Sequence, residues 1–123
     1  MAFADGSLRR NLEGMGAAKV TLAGAVAVGD LVGYSSGWVR ADGDANIPAR
    51  FVAGEDGASG DEITIFRSVV VSGFSGGTPG AKLYLSATAG GYGASAATLS
   101  QVVGVLTAAD TAAVEPLWSV DPV

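Results

Sequence analysis

The stretch from residue 60 to residue 73 is the strongest strand signal in this chain, and it reads GDEITIFRSVVVSG. Ile63 and Ile65 alternate with their neighbours, and the β-branched run Val69–Val71 follows. Alternation that continues into an apolar run predicts a long strand, first half buried and then buried on both faces. The other apolar runs are shorter and end at Gly, Asp or Ser, and no run has the pattern of a core helix. We therefore expect an all-β domain in which short strands lie beside this long one.

Length and composition indicate one small domain with an uncharged surface. The chain has 123 residues, enough for a single hydrophobic core. Its 19 glycines suit short strands and tight turns. Only 15% of the residues are charged, against roughly 25% in ordinary soluble domains. Much of the surface must therefore be neutral, which suits contact with another subunit.

Several classes of function are disfavoured by the same composition. The net charge is −5 and the basic residues are scattered, whereas nucleic-acid binding needs a basic cluster. No apolar run approaches the roughly 20 residues of a membrane span, and we see no secretory signal. The chain has no cysteine and no histidine, so it has no disulfide, no thiolate metal site and no histidine base.

The remaining strands are predicted to be short, and their order repeats. Segments 29–63 and 80–117 both read as a glycine turn, a strand, a small-residue turn, a strand, an acidic turn and a strand, at a spacing of about 51 to 54 residues. This indicates an internal duplication whose two copies close a small β-barrel or sandwich. The predicted strands are 19–23, a hairpin over 31–40, 49–53, 60–73, 82–86, 101–107 and 114–120.

Residues 1–18 differ from the rest of the chain, and we predict that they form an N-terminal arm outside a β-barrel domain of residues 19–123. Leu8, Leu12 and Met15 share a helical face, so the arm is expected to be extended or locally helical. Its glycines make a helix unstable alone in water, so we expect it to order only against a partner surface. A disordered tail is the alternative. The tentative capsid or subunit contacts are Leu8, Arg9, Arg10, Leu12 and Met15.

Candidate chemical sites are weak. Residues 42–46 read Asp-Gly-Asp-Ala-Asn, the start of a calcium loop, but Ile47 and Ala53 stand where that loop needs Gly and Glu. We interpret this loop as an Asx turn. The acidic pairs Glu55-Asp56 and Asp61-Glu62 are interpreted as exposed turn charges.

The aromatic residues allow two interpretations: a sugar-binding face, or core and interface packing, which we favour. These residues are Tyr34, Trp38, Tyr84, Tyr92 and Trp118. We predict no catalytic, metal or cofactor-binding residues, and we do not expect an enzyme.

The ordered series of turns and strands resembles the capsid decoration (cement) proteins of tailed bacteriophages. That family shows, in this order, a G-D-x-V turn, a G-V-A strand, a G-x-x-V-x-V strand, a G-D-x-V-Y strand and a V-G-x-A strand. The matching segments cover most of residues 19–118: Gly29–Val32, Gly37–Val39, Phe51–Ala53, Gly57–Ile65, Gly80–Leu85 and Gln101–Leu106. Two departures are the Gly80-Ala81 turn, where the family has Gly-Asp, and the unmatched arm.

The resemblance implies a β-tulip-like domain, commonly trimeric, that is made in the host cytoplasm and binds the outside of an assembled icosahedral head. Its partner would be the major capsid protein, and it would stabilise the head by bridging neighbouring capsomers, without cofactors or catalytic residues. The alternatives are a head-fibre or tail-fibre base and a carbohydrate-binding β-sandwich module.

Overall fold

The computed structural model describes residues 3–116, except for the side chains of Ser7 and Leu8. These residues form an antiparallel sheet that curls into a half-barrel and contains no α-helix, so the all-β prediction is confirmed. The strands are β1 (Ala4–Thr21), β2 (Leu31–Tyr34), β3 (Trp38–Arg40), β4 (Phe51–Ala53), β5 (Glu62–Ser75), β6 (Lys82–Leu85), β7 (Tyr92–Gly93), β8 (Val102–Leu106) and β9 (Thr111–Val114).

The long strand β5 is paired along both of its edges. Ile65 and Phe66 pair with β1 and also with β4, while the segment 69–72 pairs with β1 and also with β9. Because the two partners of one residue must lie on opposite edges of its strand, β1 occupies one edge of β5. The strands β4 and β9 share the other edge, one after the other.

The internal duplication is visible in the strand order. Outward from β4 the order is β4-β2-β3, and outward from β9 it is β9-β8-β6-β7, so β3-β2-β4-β5 in the first half corresponds to β7-β6-β8-β9 in the second. The strand contacts also correspond: Gly29 N donates to Ala53 O at 2.9 Å, and Gly80 N donates to Leu106 O at 2.7 Å. In each half, therefore, the glycine of the opening turn binds the last residue of the third strand, which is β4 in the first half and β8 in the second.

The turn that opens each half depends on glycine. Gly29 has φ 83° and Gly80 has φ 88°, a backbone region that other L-residues rarely adopt. Each turn is closed by a backbone hydrogen bond of 3.0 Å, from Asp30 N to Ala27 O and from Ala81 N to Thr78 O. The same turn forms with Asp or Ala after the glycine, so Ala81 is compatible with the duplication.

The core consists of two clusters, and β5 contributes to both. Ile63 and Ile65 lie in the smaller cluster, whereas Val69, Val71 and Phe74 lie in the larger one. Alternating residues of β5 are buried, which confirms the predicted half-buried strand, but Val70 is only partly buried, so the predicted burial of Val69–Val71 on both faces is wrong. Both clusters therefore depend on β5 for part of their packing.

The predicted arm boundary at residue 19 is wrong for this structure. β1 runs without a break from Ala4 to Thr21 and pairs with β5, so the segment assigned to an arm outside the barrel is a strand of the sheet. The locally helical alternative is also wrong, because the backbone is extended. The hydrophobic pattern misled because Leu12 and Met15 are exposed here and form no shared apolar stripe against the body.

The end of the chain also differs from the prediction. The last described strand is β9, which begins at Thr111, where a turn was expected, and ends at Val114. It lies between β5 and β8, so Pro116 does not mark an edge strand. The rest of the predicted strand, residues 117–120, lies outside the described residues.

Truncating one buried residue in each cluster tests this core. Ile65→Ala in the smaller cluster and Leu85→Ala in the larger one should each lower the free energy of unfolding by roughly 2–5 kcal/mol, because both side chains are fully buried. Urea unfolding measures the loss. Val105→Ala is the control, since Val105 is 42% exposed, and its effect should be within about 0.5 kcal/mol. A small effect of Ile65→Ala would contradict the packing described for β5.

Candidate functional site

A buried ion pair fixes the start of β1 to the body of the protein. Between Asp5 and Arg10 the register of β1 against β5 shifts, and a bulge of this kind turns a side chain in a new direction. Arg9 lies in this bulge. Its Nη1 donates to Asp5 Oδ1 at 2.8 Å and its Nη2 contacts Asp30 Oδ1. The side chains of Arg9 and Asp30 are only 10% and 5% exposed, so this is an interior contact.

Asp30 is the centre of the contact because both of its carboxylate oxygens are used. Its Oδ2 accepts from Ala27 N at 2.8 Å, which closes the turn before β2, and from Arg40 Nε at 3.0 Å. A buried carboxylate is tolerated when charged and polar donors replace water in this way. The charge of Asp30 thus links the first turn to β1 and to β3.

Tyr92 completes the same site from β7. Its hydroxyl donates to Gly29 O at 2.7 Å, and its backbone N donates to Asp5 Oδ2 at 2.9 Å. The Arg9 guanidinium carbon lies 5.3 Å from the centre of the Tyr92 ring, a distance that suits a cation–π contact. Residues of both halves of the duplication therefore hold the start of β1.

The surroundings keep Arg9 charged and Tyr92 neutral. Burial by itself lowers the pKa of Arg9, but Asp5, Tyr92 and Asp30 more than offset it, so the pKa is raised. Burial raises the pKa of Tyr92, Arg9 opposes that rise, and Asp5 and Asp30 add to it. The pairing is therefore maintained across the ordinary pH range. The described polar contacts of Arg9 fix the start of β1 to the turn before β2.

Arg9 is consequently not available for the capsid contact predicted for it. The predicted contact residues divide into two groups in the structure. Arg10, Leu12 and Met15 are exposed, whereas Arg9 is directed into the body. Leu8 lies within β1, but its side chain is outside what the structure describes.

The open edge of β1, residues 12–19, is the most accessible extended surface near this site. All eight residues are exposed, including Leu12 at 58% and Met15 at 57%. Within residues 3–116, β5 is the only strand that pairs with β1, so the other edge of β1 carries unpaired backbone groups. Such an edge is a template for pairing with another chain. The small residues Gly14, Gly16, Ala17 and Ala18 make this edge easy to approach.

The aromatic residues do not form one face. Tyr92 is buried in the larger cluster, and Trp38 packs on the smaller one, which agrees with the core interpretation. Tyr34 is 59% exposed, and its ring lies 5.2 Å from the ring of Trp38. Trp118 lies outside the described residues. Among these residues within 3–116, Tyr34 is therefore the one exposed ring, beside the partly buried Trp38 on the hairpin formed by β2 and β3, and Tyr84 is partly buried.

The acidic loops bind the protein's own backbone. Asp42 Oδ1 accepts from Asp44 N at 2.9 Å and from Ala45 N at 3.2 Å, so the predicted Asx turn is confirmed. Asp56 Oδ1 accepts from Val28 N at 2.7 Å, and Asp61 Oδ2 accepts from Ala58 N at 2.9 Å. Across residues 3–116 no group of three or more acidic side chains is placed to hold a metal ion.

Comparisons with known protein families, with curated proteins and with solved structures find no match for this chain. Across the same described range, no helix is long and apolar enough to cross a membrane.

The sequence did not reveal the roles of Asp30, Tyr92 and Arg9. The only signal was the Gly29-Asp30 turn, since an Asp after a turn glycine often binds the turn's own backbone. Arg9 is 21 positions from its partner Asp30, and Tyr92 is 63 positions from its partner Gly29. No local pattern encodes contacts over such separations.

Replacing Arg9 tests whether β1 is held as described. Arg9→Ala should lower the free energy of unfolding by roughly 3 kcal/mol, because it leaves the buried carboxylate of Asp30 short of a partner. Arg10→Ala is the matched control and should change it by less than about 0.5 kcal/mol, since Arg10 is exposed. Equal, small effects of both changes in denaturant unfolding would show that β1 is a loosely attached arm.

The buried hydroxyl of Tyr92 should make the free energy of unfolding depend on pH in the alkaline range. Its pKa is raised in the folded protein, so the folded state holds the proton more tightly than the unfolded chain does. Its contribution is complete below about pH 10 and should fall by about 1.4 kcal/mol per pH unit above it. The difference in unfolding free energy between the native protein and Tyr92→Phe should therefore shrink as the pH rises from 9 to 11. A difference independent of pH would contradict the buried hydroxyl.

Proposed function

We propose that this protein is a structural virion protein of the capsid decoration (cement) class. It binds the outer surface of an assembled icosahedral phage head and bridges neighbouring capsomers of the major capsid protein. The observation that carries the proposal is the open edge of β1, which presents exposed apolar and small residues on a strand that is fixed to the body by Arg9.

The placement of the family-like segments supports this proposal. Gly29–Val32 forms the turn into β2, Phe51–Ala53 is β4, and Gly57–Ile65 leads into β5. Gly80–Leu85 leads into β6, and Gln101–Leu106 contains β8. Each segment therefore meets a separate strand of one sheet, in the order that the resemblance requires.

The surface also suits a protein that attaches through many modest contacts. Only 15% of the residues are charged, and the exposed side chains Arg10, Leu12 and Met15 are all on β1. A single contact of this size is weak, but attachment of an oligomer, such as the trimer that the family commonly forms, multiplies weak contacts. Desolvating a neutral edge costs less than desolvating a charged one.

A carbohydrate-binding module is the second candidate, and one observation favours it. Tyr34 is largely exposed beside Trp38 on the hairpin β2–β3, and exposed aromatic rings are suited to stack on sugars. This surface does not include β1, so the two functions depend on different residues.

Sedimentation with purified phage heads that lack decoration protein tests the proposal. The native protein should sediment with the heads, and the double variant Leu12→Ser/Met15→Ser should bind roughly tenfold more weakly because it loses apolar area at the contact. Tyr34→Ala is the matched control on the other surface and should bind heads like the native protein. Failure to bind heads, together with binding to a glycan array that Tyr34→Ala abolishes, would overturn the proposal in favour of the carbohydrate module.

A further inference from the structure

The open edge of β1 carries little of the usual protection against pairing. Natural edge strands carry charges, prolines or bulges that block another strand. Residues 12–18 read Leu-Glu-Gly-Met-Gly-Ala-Ala, with one charged side chain and no proline, and the next residue is Lys19. The register against β5 shifts at Leu12, the first residue of this segment, and shows no further shift from Glu13 to Thr21.

The duplication shows what covers the equivalent edge in the other half. Residues 69–72 of β5 pair with β9. In the same way, residues 17–21 of β1 pair with residues 62–66 of β5. The edge of residues 69–72 of β5 that faces away from β9 is covered by residues 10–14 of β1, which pair with it antiparallel. In the first half the corresponding edge is that of residues 17–21 of β1, and its residues 17–19, which belong to the open edge, have no such strand among residues 3–116.

The edge is complementary to itself in one antiparallel register. When two copies are related by a two-fold axis at Gly16, Glu13 of each copy lies opposite Lys19 of the other. The same register places Leu12 opposite Val20 and Met15 opposite Ala17. Opposite charges and apolar pairs facing each other stabilise antiparallel strands, whereas like charges destabilise them.

Residue 16, at the proposed axis, is a glycine. Gly16 has φ 69°, and a Cβ there would lie 2.9 Å from Arg67 Cβ of the same molecule, so the pairing of β1 with β5 already requires glycine at this position. Glu13 and Lys19 are both exposed, so their charges are available to a second copy.

We propose that the open edge of β1 pairs antiparallel with the same edge of a second copy of this chain, about a two-fold axis at Gly16. This contact joins the sheets of two molecules into one continuous sheet. A two-fold contact cannot close a three-membered ring. If the proposed function holds, this contact therefore links neighbouring oligomers on the head rather than forming each one; this role alone depends on the proposed function.

Charge reversal tests the contact in the free protein, without phage heads. Glu13→Lys places a second lysine opposite Lys19, and Lys19→Glu places two glutamates opposite each other. Each variant alone should associate roughly tenfold more weakly than the native protein in sedimentation equilibrium, since two favourable pairs become repulsive. An equimolar mixture of the two variants should regain association, because every facing pair is then of opposite charge. Lys82→Glu, at the exposed first residue of β6, makes the same change of charge elsewhere and should associate like the native protein.

Cysteine pairing tests the register. The natural chain has no cysteine, and residues directly opposite in paired strands have Cα atoms about 4.5–5.5 Å apart, within the range of a disulfide. A mixture of Met15→Cys and Ala17→Cys should form a disulfide-linked dimer on mild oxidation. A mixture of Met15→Cys and Ala23→Cys should not, because those positions do not face each other.

The outcomes separate this proposal from the proposed function. Loss of association in both single variants, its return in the mixture and the selective disulfide support the proposal, with circular dichroism confirming that each variant is folded. A native protein whose mass is independent of concentration, or a mixture that associates no better than either variant, overturns it. Neither of those results affects binding to phage heads, which the sedimentation experiment measures by itself.

Discussion

Backbone pairing along both edges of β5 is the constraint on which the rest of the structure depends. A buried backbone N–H or C=O group must find a partner, and the groups of β5 find theirs in β1 on one edge and in β4 and β9 on the other. The same strand places Ile63 and Ile65 in one core cluster and Val71 in the other. Neither half of the molecule therefore has a complete sheet or a complete core without β5.

The two halves of the molecule differ at their opening turns, and this difference determines where the open edge of β1 lies. Their opening turns have the same backbone, but a Cβ at Gly29 would lie 2.8 Å from Arg9 Cβ, whereas a Cβ at Gly80 would have no atom within 4 Å. The first turn is covered by β1 and the second is open. The ion pair between Arg9 and Asp30 explains this asymmetry, because it holds one strand against the body and leaves the other edge of that strand exposed.

Local sequence patterns were sufficient for much of the fold. The alternation in residues 62–71, the hairpin of β2 and β3 and the strands β6 and β8 follow from periodicity and from turn glycines. The spacing between Gly29 and Gly80 was sufficient to predict the duplication. The part of β1 before Lys19 was missed because Leu8, Leu12 and Met15 fall on one helical face, and because its pairing joins residues such as Gly14 and Val69 that are distant in sequence. In the candidate site, the exposure of Leu12 and Met15 could be predicted only with the knowledge that β1 is a strand. The burial of Arg9 could not be predicted because it depends on a bulge.

Hydrogen–deuterium exchange of the isolated protein tests the central claim that β1 is an integral strand of the sheet. Amides of β5 from Ile65 to Ser72 should exchange only on global unfolding, and amides of β1 bonded to β5 should be protected to a similar degree. Amides of residues 12–19 that face away from β5 should exchange much faster at low protein concentration. Rapid exchange of every amide from Ala4 to Thr21, with β5 still protected, would contradict the account and return this segment to a separate arm.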